Sequence, residues 1–281
     1  MATEIRIDAL LPQEMATRAE YLGARKAELP LTTMFTLSIL AGAFIGFGAM
    51  FATTTAAGTA GVLPYGMVRL LTGFVFCLGL VLVVVGGAEL FTGNNLIVMA
   101  WASGKVSSKS LLRNWTIVYI GNFIGSIGTA VLVFASRQYL FGGGSVGHTA
   151  LGIANSKVQL GFGQAIALGV LYNILVCLAV WLTFSARSTI DKIAAVIFPI
   201  AAFVAAGFEH SIANMYFVPM GLLIKNFAPL FSASANLDLS GLTWANFLIN
   251  NLLPVTIGNI IGGSVFVAAI YWSVFLRRKP V

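Results

Sequence analysis

This sequence is short of charge, histidine and cysteine. Only 9% of its 281 residues are Asp, Glu, Lys or Arg, while 58% are hydrophobic. A water-soluble globule carries about 25% charged residues. The chain therefore lacks the polar surface to cover itself in water, and a lipid bilayer is its expected solvent. Cys77 and Cys177 each fall inside an apolar segment, so neither a disulfide framework nor a thiolate metal site is expected. The two histidines, His148 and His210, cannot supply a metal set, and no serine–histidine–acid spacing is present. The sequence thus gives no reason to expect a catalytic residue, a metal or another cofactor. The net charge of +7 is scattered over short loops. That pattern is not a nucleic-acid footprint. The N-terminal stretch has no apolar region of the kind a cleaved signal needs.

What the chain has instead is long apolar runs, near 34–52, 68–102, 115–135, 162–184, 193–224 and 247–275. A helix crossing the hydrocarbon needs ~20 residues. The second and fifth runs are too long. Between Arg69 and Lys105 the only charge is Glu89, and between Lys192 and Lys225 it is Glu209. As straight helices these runs would be roughly 50 Å long at 1.5 Å per residue. Two crossings would need a polar hairpin, for which each run is too short. A single crossing by a broken helix remains. Non-helical backbone at that depth is tolerated where protein buries it or where it lines an aqueous cavity.

Six crossings place Arg6, Arg18, Arg25, Lys26, Lys105, Lys109, Arg113, Arg187, Lys192, Arg277, Arg278 and Lys279 on one side. Arg69, Arg137, Lys157 and Lys225 fall on the other. The positive-inside rule then makes both termini cytoplasmic. Residues 1–30 read as an amphipathic helix, with Leu11, Met15, Ala19 and Leu22 along one stripe, suited to the membrane surface. Residues 31–275 form the transmembrane part and 276–281 a cytoplasmic tail.

The broken runs share a pattern. "GAELFTGNN" (Gly87, Glu89, Asn94) and "GFEHSIANM" (Gly207, Glu209, Asn214) both read G-x-E-x4-N. The next spans, "NWTIVYIGNFIG" (from Asn114) and "NLLPVTIGNIIG" (from Asn251), both read N-x6-GN-x2-G. The spans before the breaks align Gly42 and Gly46 with Gly169 and Asn173. The fold expected is therefore an all-α membrane protein with a 3+3 inverted repeat, 31–136 and 158–275, whose second and fifth helices are broken. Three crossings per unit is an odd number, so the second copy enters the membrane inverted. Such repeats build transporters and channels, with broken helices meeting near the midplane.

A charge at the bilayer centre costs ~3 kcal/mol on insertion scales, so Glu89 and Glu209 each need a partner. Lys26 and Lys157 precede the first span of each repeat, giving the expected pairs Lys26–Glu89 and Lys157–Glu209. Each carboxylate either anchors its break or holds a lysine near a path. His210 stands where the first repeat has Leu90. Symmetry does not require it, which favours a functional role for a group that titrates near neutral pH. Thr92, Asn94, Ser211 and Asn214 suit a break because their side chains can satisfy freed backbone groups. Glycines in "GAFIGFG", "GNFIGSIG" and "GNIIGG" let helices approach closely. An aquaporin-type neutral-solute channel shares the inverted repeat, but the breaks read "TGNN" and "SIAN" rather than Asn-Pro-Ala. An intramembrane enzyme using Glu209 and His210 has no metal set or triad to support it.

"GFEHSIANM", "GGAELFTG", "YIGNFIGS" and "PVTIGNIIGG" resemble the signatures of the formate/nitrite transporter family over nearly the whole chain. "ANMYFVPMG" (213–221) and "NLLPVTIGNIIGG" (251–263) are similar to its formate-channel branch. The resemblance implies an aquaporin-like six-helix protomer with its own pore, assembled as a homopentamer in a bacterial inner membrane. It implies transport of formate and related small monovalent anions, with protons as a second partner. The alternative is a nitrite or broader short-chain carboxylate channel. It implies a periplasmic constriction at Phe76, Leu80 and Phe203, a cytoplasmic one at Leu90 and Phe91, and Thr92 and His210 between them. Lys157, Asn173, Glu209 and Asn214 match the family's polar network, and Asn259 lies in the matching "GN".

Overall fold

The computed structural model describes residues 9–277, and all the regular structure among them is helical. Arg6, Arg278 and Lys279, counted above for orientation, lie outside the described residues, as do 1–8 of the N-terminal segment and 278–281 of the tail. Helix α1 (Pro12–Ala27) leads into α2 (Leu31–Ala56) and α3 (Tyr65–Gly86). After a break, a 3₁₀ turn (Gly93–Ile97) continues into short α4 (Val98–Ala102), and α5 (Ser108–Ala135) follows. The second half repeats this plan: α6 (Ser145–Val158), α7 (Phe162–Thr183), α8 (Thr189–Ala206), a break, α9 (Ser211–Phe227) and a last span, Trp244–Phe275. Among the described residues, α2, α3, α5, α7, α8 and the last span are long and apolar enough to cross a membrane. Leu132 and Phe198 stand 72% and 81% exposed on outward faces. Water would penalise that arrangement, whereas lipid accepts it.

Both long runs break where the sequence supplies glycine. Gly87 and Gly207 end α3 and α8 in the left-handed region, at φ 79° and 78°. A side chain there would be strained, so glycine ends the helix without that strain.

Glycine also sets the distance between crossings. A Cβ on Gly125 would collide with the Ile39 carbonyl, joining α5 to α2. A Cβ on Gly262 would collide with the Val170 carbonyl, joining the last span to α7. We expect Gly125→Val to prevent close packing of α2 on α5. The check is folded yield by size-exclusion chromatography in detergent, and a monodisperse wild-type-like peak would contradict it.

Those contacts correct the repeat register. Ile39 corresponds to Val170, and the backbone bonds Glu89 N–H to Leu37 O (3.2 Å) and Glu209 N–H to Leu168 O (3.3 Å) agree. The first spans are therefore offset by 131, so Asn173 is the counterpart of Gly42, not of Gly46, and Gly169 that of Ser38.

The apolar stripe of α1 packs on protein. Met15 and Ala19 are buried in a cluster with Ile97, Met99, Ala100 and Trp181, while Leu11 stays 54% exposed. Glu20, buried on the same face, pairs with Lys105. The helix expected at the membrane surface thus covers the end of the helical bundle where α4 lies. Its counterpart in the second half is α6, and each ends one residue after a lysine, Lys26 or Lys157.

Candidate functional site

Breaking a helix inside lipid frees backbone groups that cost several kcal/mol each if unpaired. One asparagine satisfies each break. Asn122 donates to Glu89 O (2.9 Å) and Ser38 O (2.7 Å), and accepts from Phe91 N–H (2.9 Å). Asn259 donates to Glu209 O (3.0 Å) and Gly169 O (2.9 Å), and accepts from Ser211 N–H (3.0 Å). These are the asparagines of the two "GN" pairs, and both are fully buried.

The glutamates sit in a second duplicated cluster. Lys26 Nζ lies 2.7 Å from Glu89 Oε1, and Lys157 Nζ 2.8 Å from Glu209 Oε1. Asn94 donates to Glu89 Oε2 (2.8 Å) and Asn114 Oδ1 (3.0 Å). Asn214 donates to Glu209 Oε2 (2.7 Å) and Asn251 Oδ1 (2.8 Å). Asn114 and Asn251 in turn donate to the carbonyls of Lys26 and Lys157, at 3.1 and 2.9 Å. Every carboxylate oxygen here has a partner. The lysines differ in setting: the side chain of Lys157 is 14% exposed and that of Lys26 36%. Lys157 also lies 5.4 Å from the centre of the Phe217 ring.

Two vestibules approach the breaks from opposite ends. The first, about 290 Å³, is lined by Arg18, Lys26, Leu80, Glu89, Leu90, Asn94 and Lys192 among others. The second, about 380 Å³, is lined by Arg69, Phe76, Lys157, Phe203, Glu209, His210 and Asn214 among others. They are inverted copies: Val83, Gly87 and Glu89 in one correspond to Phe203, Gly207 and Glu209 in the other. Each holds more cationic than anionic side chains.

Between them lies an aromatic layer. Phe76 meets Phe203 edge-on at 5.6 Å, and Phe203 meets Tyr172 edge-on at 4.6 Å. Tyr172 stacks on His210 at 4.2 Å, and its hydroxyl lies 3.4 Å from Thr92 Oγ1. His210 is 3% exposed, yet neither ring nitrogen has a hydrogen-bond partner among the described residues. A buried imidazole normally bonds through at least one nitrogen. This one is left available to something else.

The remaining predicted residues fall as follows. Leu80 belongs with Leu90 on the first vestibule, not with Phe76 and Phe203; it lies one turn of α3 beyond Phe76. Phe91 lines neither vestibule, and its ring packs edge-on against Tyr119 (4.9 Å) and Trp115 (6.1 Å). Asn173 ties α7 to the first break and the last span, through Thr92 O (3.2 Å), Asn95 Oδ1 (2.8 Å) and Asn259 O (2.7 Å). Tyr172, Asn95, Asn114, Asn122 and Asn251 are site residues that sequence reasoning did not single out. Three of these, Asn114, Asn122 and Asn251, stand inside the repeat motifs, where the duplication itself was a usable signal. Tyr172 and Asn95 carry none.

An inverted repeat, two broken helices and cation-rich vestibules on either side of an aromatic layer define a membrane pore or transporter for a small anion. Residues 13–273 match the family described as Formate/nitrite transporter, and the chain belongs to that family. It is 46% identical to a protein named Formate channel FocA from Escherichia coli (strain K12), with 99% of each chain covered. It is 39% identical to one named Probable formate transporter from Methanothermobacter thermautotrophicus, covering 95% of this chain and 97% of that one. Its fold is similar to a solved structure titled "Pentameric formate channel with formate bound", at a TM-score of 0.82 and 49% identity over 88% of this chain and 98% of that chain.

Proposed function

We propose that this protein conducts formate, and related small monovalent anions, through a pore within each subunit, and that His210 exchanges a proton with the passing anion. The observation that carries this reading is the imidazole of His210, buried beside the second vestibule with both nitrogens unpartnered. Lys157 and Lys26 draw the anion into the vestibules. A bare charge cannot cross the apolar layer cheaply. At the centre the anion meets Thr92, His210 and the amides of the breaks. A proton shared with His210 neutralises it, and the neutral acid passes the aromatic layer. Leu80 and Leu90 on one side, and Phe76 and Phe203 on the other, exclude water from that step. The full-length similarity to formate channels supports formate as the substrate, and the pentameric neighbour supports a homopentamer. The excess of Lys and Arg on the α1 side supports cytoplasmic termini in a bacterial inner membrane. Nitrite or a wider set of short carboxylates is the alternative substrate reading.

The test is formate and nitrite uptake into proteoliposomes between roughly pH 5 and pH 8, the range in which an imidazole titrates. Formate uptake by the wild type should exceed nitrite uptake and rise as pH falls, because acid supplies the shared proton. In His210→Gln the rise should disappear while some flux remains. An unchanged pH profile in that variant would make His210 a packing residue, and equal uptake of both anions would favour the broader channel.

A further inference from the structure

We propose that the first vestibule binds a small divalent oxyanion, such as hydrogen phosphate or sulfate, which occupies it without crossing and so blocks the pore from the α1 side. The proposal rests on the transport reading above for the block, but not for the binding.

The first vestibule collects Arg18 and Lys26 from α1 and Lys192 from the first turn of α8. Only Lys26 is neutralised, by Glu89. Among the described residues, the side chains of Arg18 and Lys192 have no ion pair or hydrogen bond. Two positive charges are thus left without a countercharge in one cavity of about 290 Å³. The remaining wall is largely apolar, with Leu22, Leu80, Val84 and Leu90 facing the same space.

The inverted repeat shows that the fold does not need these charges. The counterpart of Arg18 is Thr149 and that of Lys192 is Thr72, and both threonines line the second vestibule. There the extra cation is Arg69, which donates to the carbonyls of Ala205 (3.1 Å) and Val204 and is occupied in holding the end of α8. The two free cations are therefore peculiar to one end.

A monovalent anion would leave one of those charges unmatched, whereas a dianion matches both. An arginine fork also bonds two oxygens of one oxyanion at once, which a point charge cannot do. The same double charge forbids passage. The cost of moving an ion into an apolar layer rises with the square of its charge, so a dianion faces about four times the penalty of formate at Leu80 and Leu90. It binds at the mouth and stays there.

The experiment uses the whole protein in a neutral detergent, titrated with inorganic phosphate by calorimetry. One site per chain is expected, weakened at least tenfold in Arg18→Gln/Lys192→Gln and retained in Arg18→Lys/Lys192→Arg, which controls for misfolding. Equal affinity in wild type and the glutamine variant, or no binding in wild type, would overturn the proposal. Formate flux is then recorded with phosphate added to one face at a time. Inhibition from the α1 face alone is expected, read for each variant as the ratio of flux with and without phosphate. Inhibition from both faces, or from neither, overturns the block. Absence of formate flux with phosphate binding intact would instead fault the transport reading. Repeating the recording in vesicles with and without phosphatidylglycerol separates a free oxyanion from a lipid headgroup. Block that survives in both supports the free ion, and block lost once the anionic lipid is present assigns the site to the headgroup.

Discussion

Asn259→Ala is expected to destabilise the protein by about 2–6 kcal/mol, seen as a large fall in thermal unfolding temperature in detergent. One side chain bonds Ser211 N–H, Glu209 O and Gly169 O, and all three lie away from water. Truncation strands Ser211 N–H and Glu209 O, while Gly169 O keeps its bond within α7. Each orphaned buried group costs about 1–3 kcal/mol. The loss should extend to flux, because the same bonds hold His210 and Ser211 in place at the break. Asn122→Ala should act alike on Phe91 N–H and Glu89 O, with Ser38 O kept by α2. The control is Asn250→Ala, an exposed neighbour on the same span. If Asn259→Ala melts no lower than that control, the break is held by something other than this amide.

Glu209→Leu should cost about 3–5 kcal/mol, the usual effect of stranding one partner of a buried ion pair. Lys157 has its carboxylate at 2.8 Å and a side chain only 14% exposed, so water at the vestibule wall compensates it only in part. Asn214 loses its Oε2 partner in the same step. Lys157→Met should be similarly harmful, because it leaves the carboxylate alone. The double variant Lys157→Met/Glu209→Leu should recover much of the stability and none of the anion-gathering charge. Denaturation of the four proteins closes the cycle. Costs that simply add would show that the pair is not coupled. The Lys26–Glu89 pair, with its more exposed lysine, should tolerate the same changes better.

Much of this was legible in the sequence. Glu89 and Glu209 announced the breaks because an isolated carboxylate in a long apolar run needs a reason to be there. Lys26 and Lys157 could be matched to them because duplication fixes sequence distances. The first-span register was misread by four residues for a physical reason. A ladder of small residues spaced four apart matches itself when shifted one rung, and the contacts of Ile39 and Val170 with the glycines opposite, with the backbone bonds to Leu37 and Leu168, resolve it. The stripe on α1 recorded that the helix has an apolar partner, but periodicity does not say whether that partner is lipid or Ile97 and Trp181. Tyr172 was invisible because its role is a stacking contact with a residue 38 positions away, and no spacing rule encodes that. Leu80 and Phe76 share one face of α3, so a list of pore-facing residues could not assign them to different vestibules.

The two vestibules also shape the membrane's electric field. Filled with electrolyte, each carries the potential of its own compartment inward toward the breaks. Nearly all of a transmembrane voltage then falls across the thin layer of Phe76, Phe203, Tyr172 and Leu90 rather than across the full bilayer. An anion crossing that layer bare would feel about 2.3 kcal/mol per 100 mV within a few side chains. One crossing as a neutral acid would feel none of it. The current carried at a fixed voltage, compared with the solute moved, therefore distinguishes the two forms of passage.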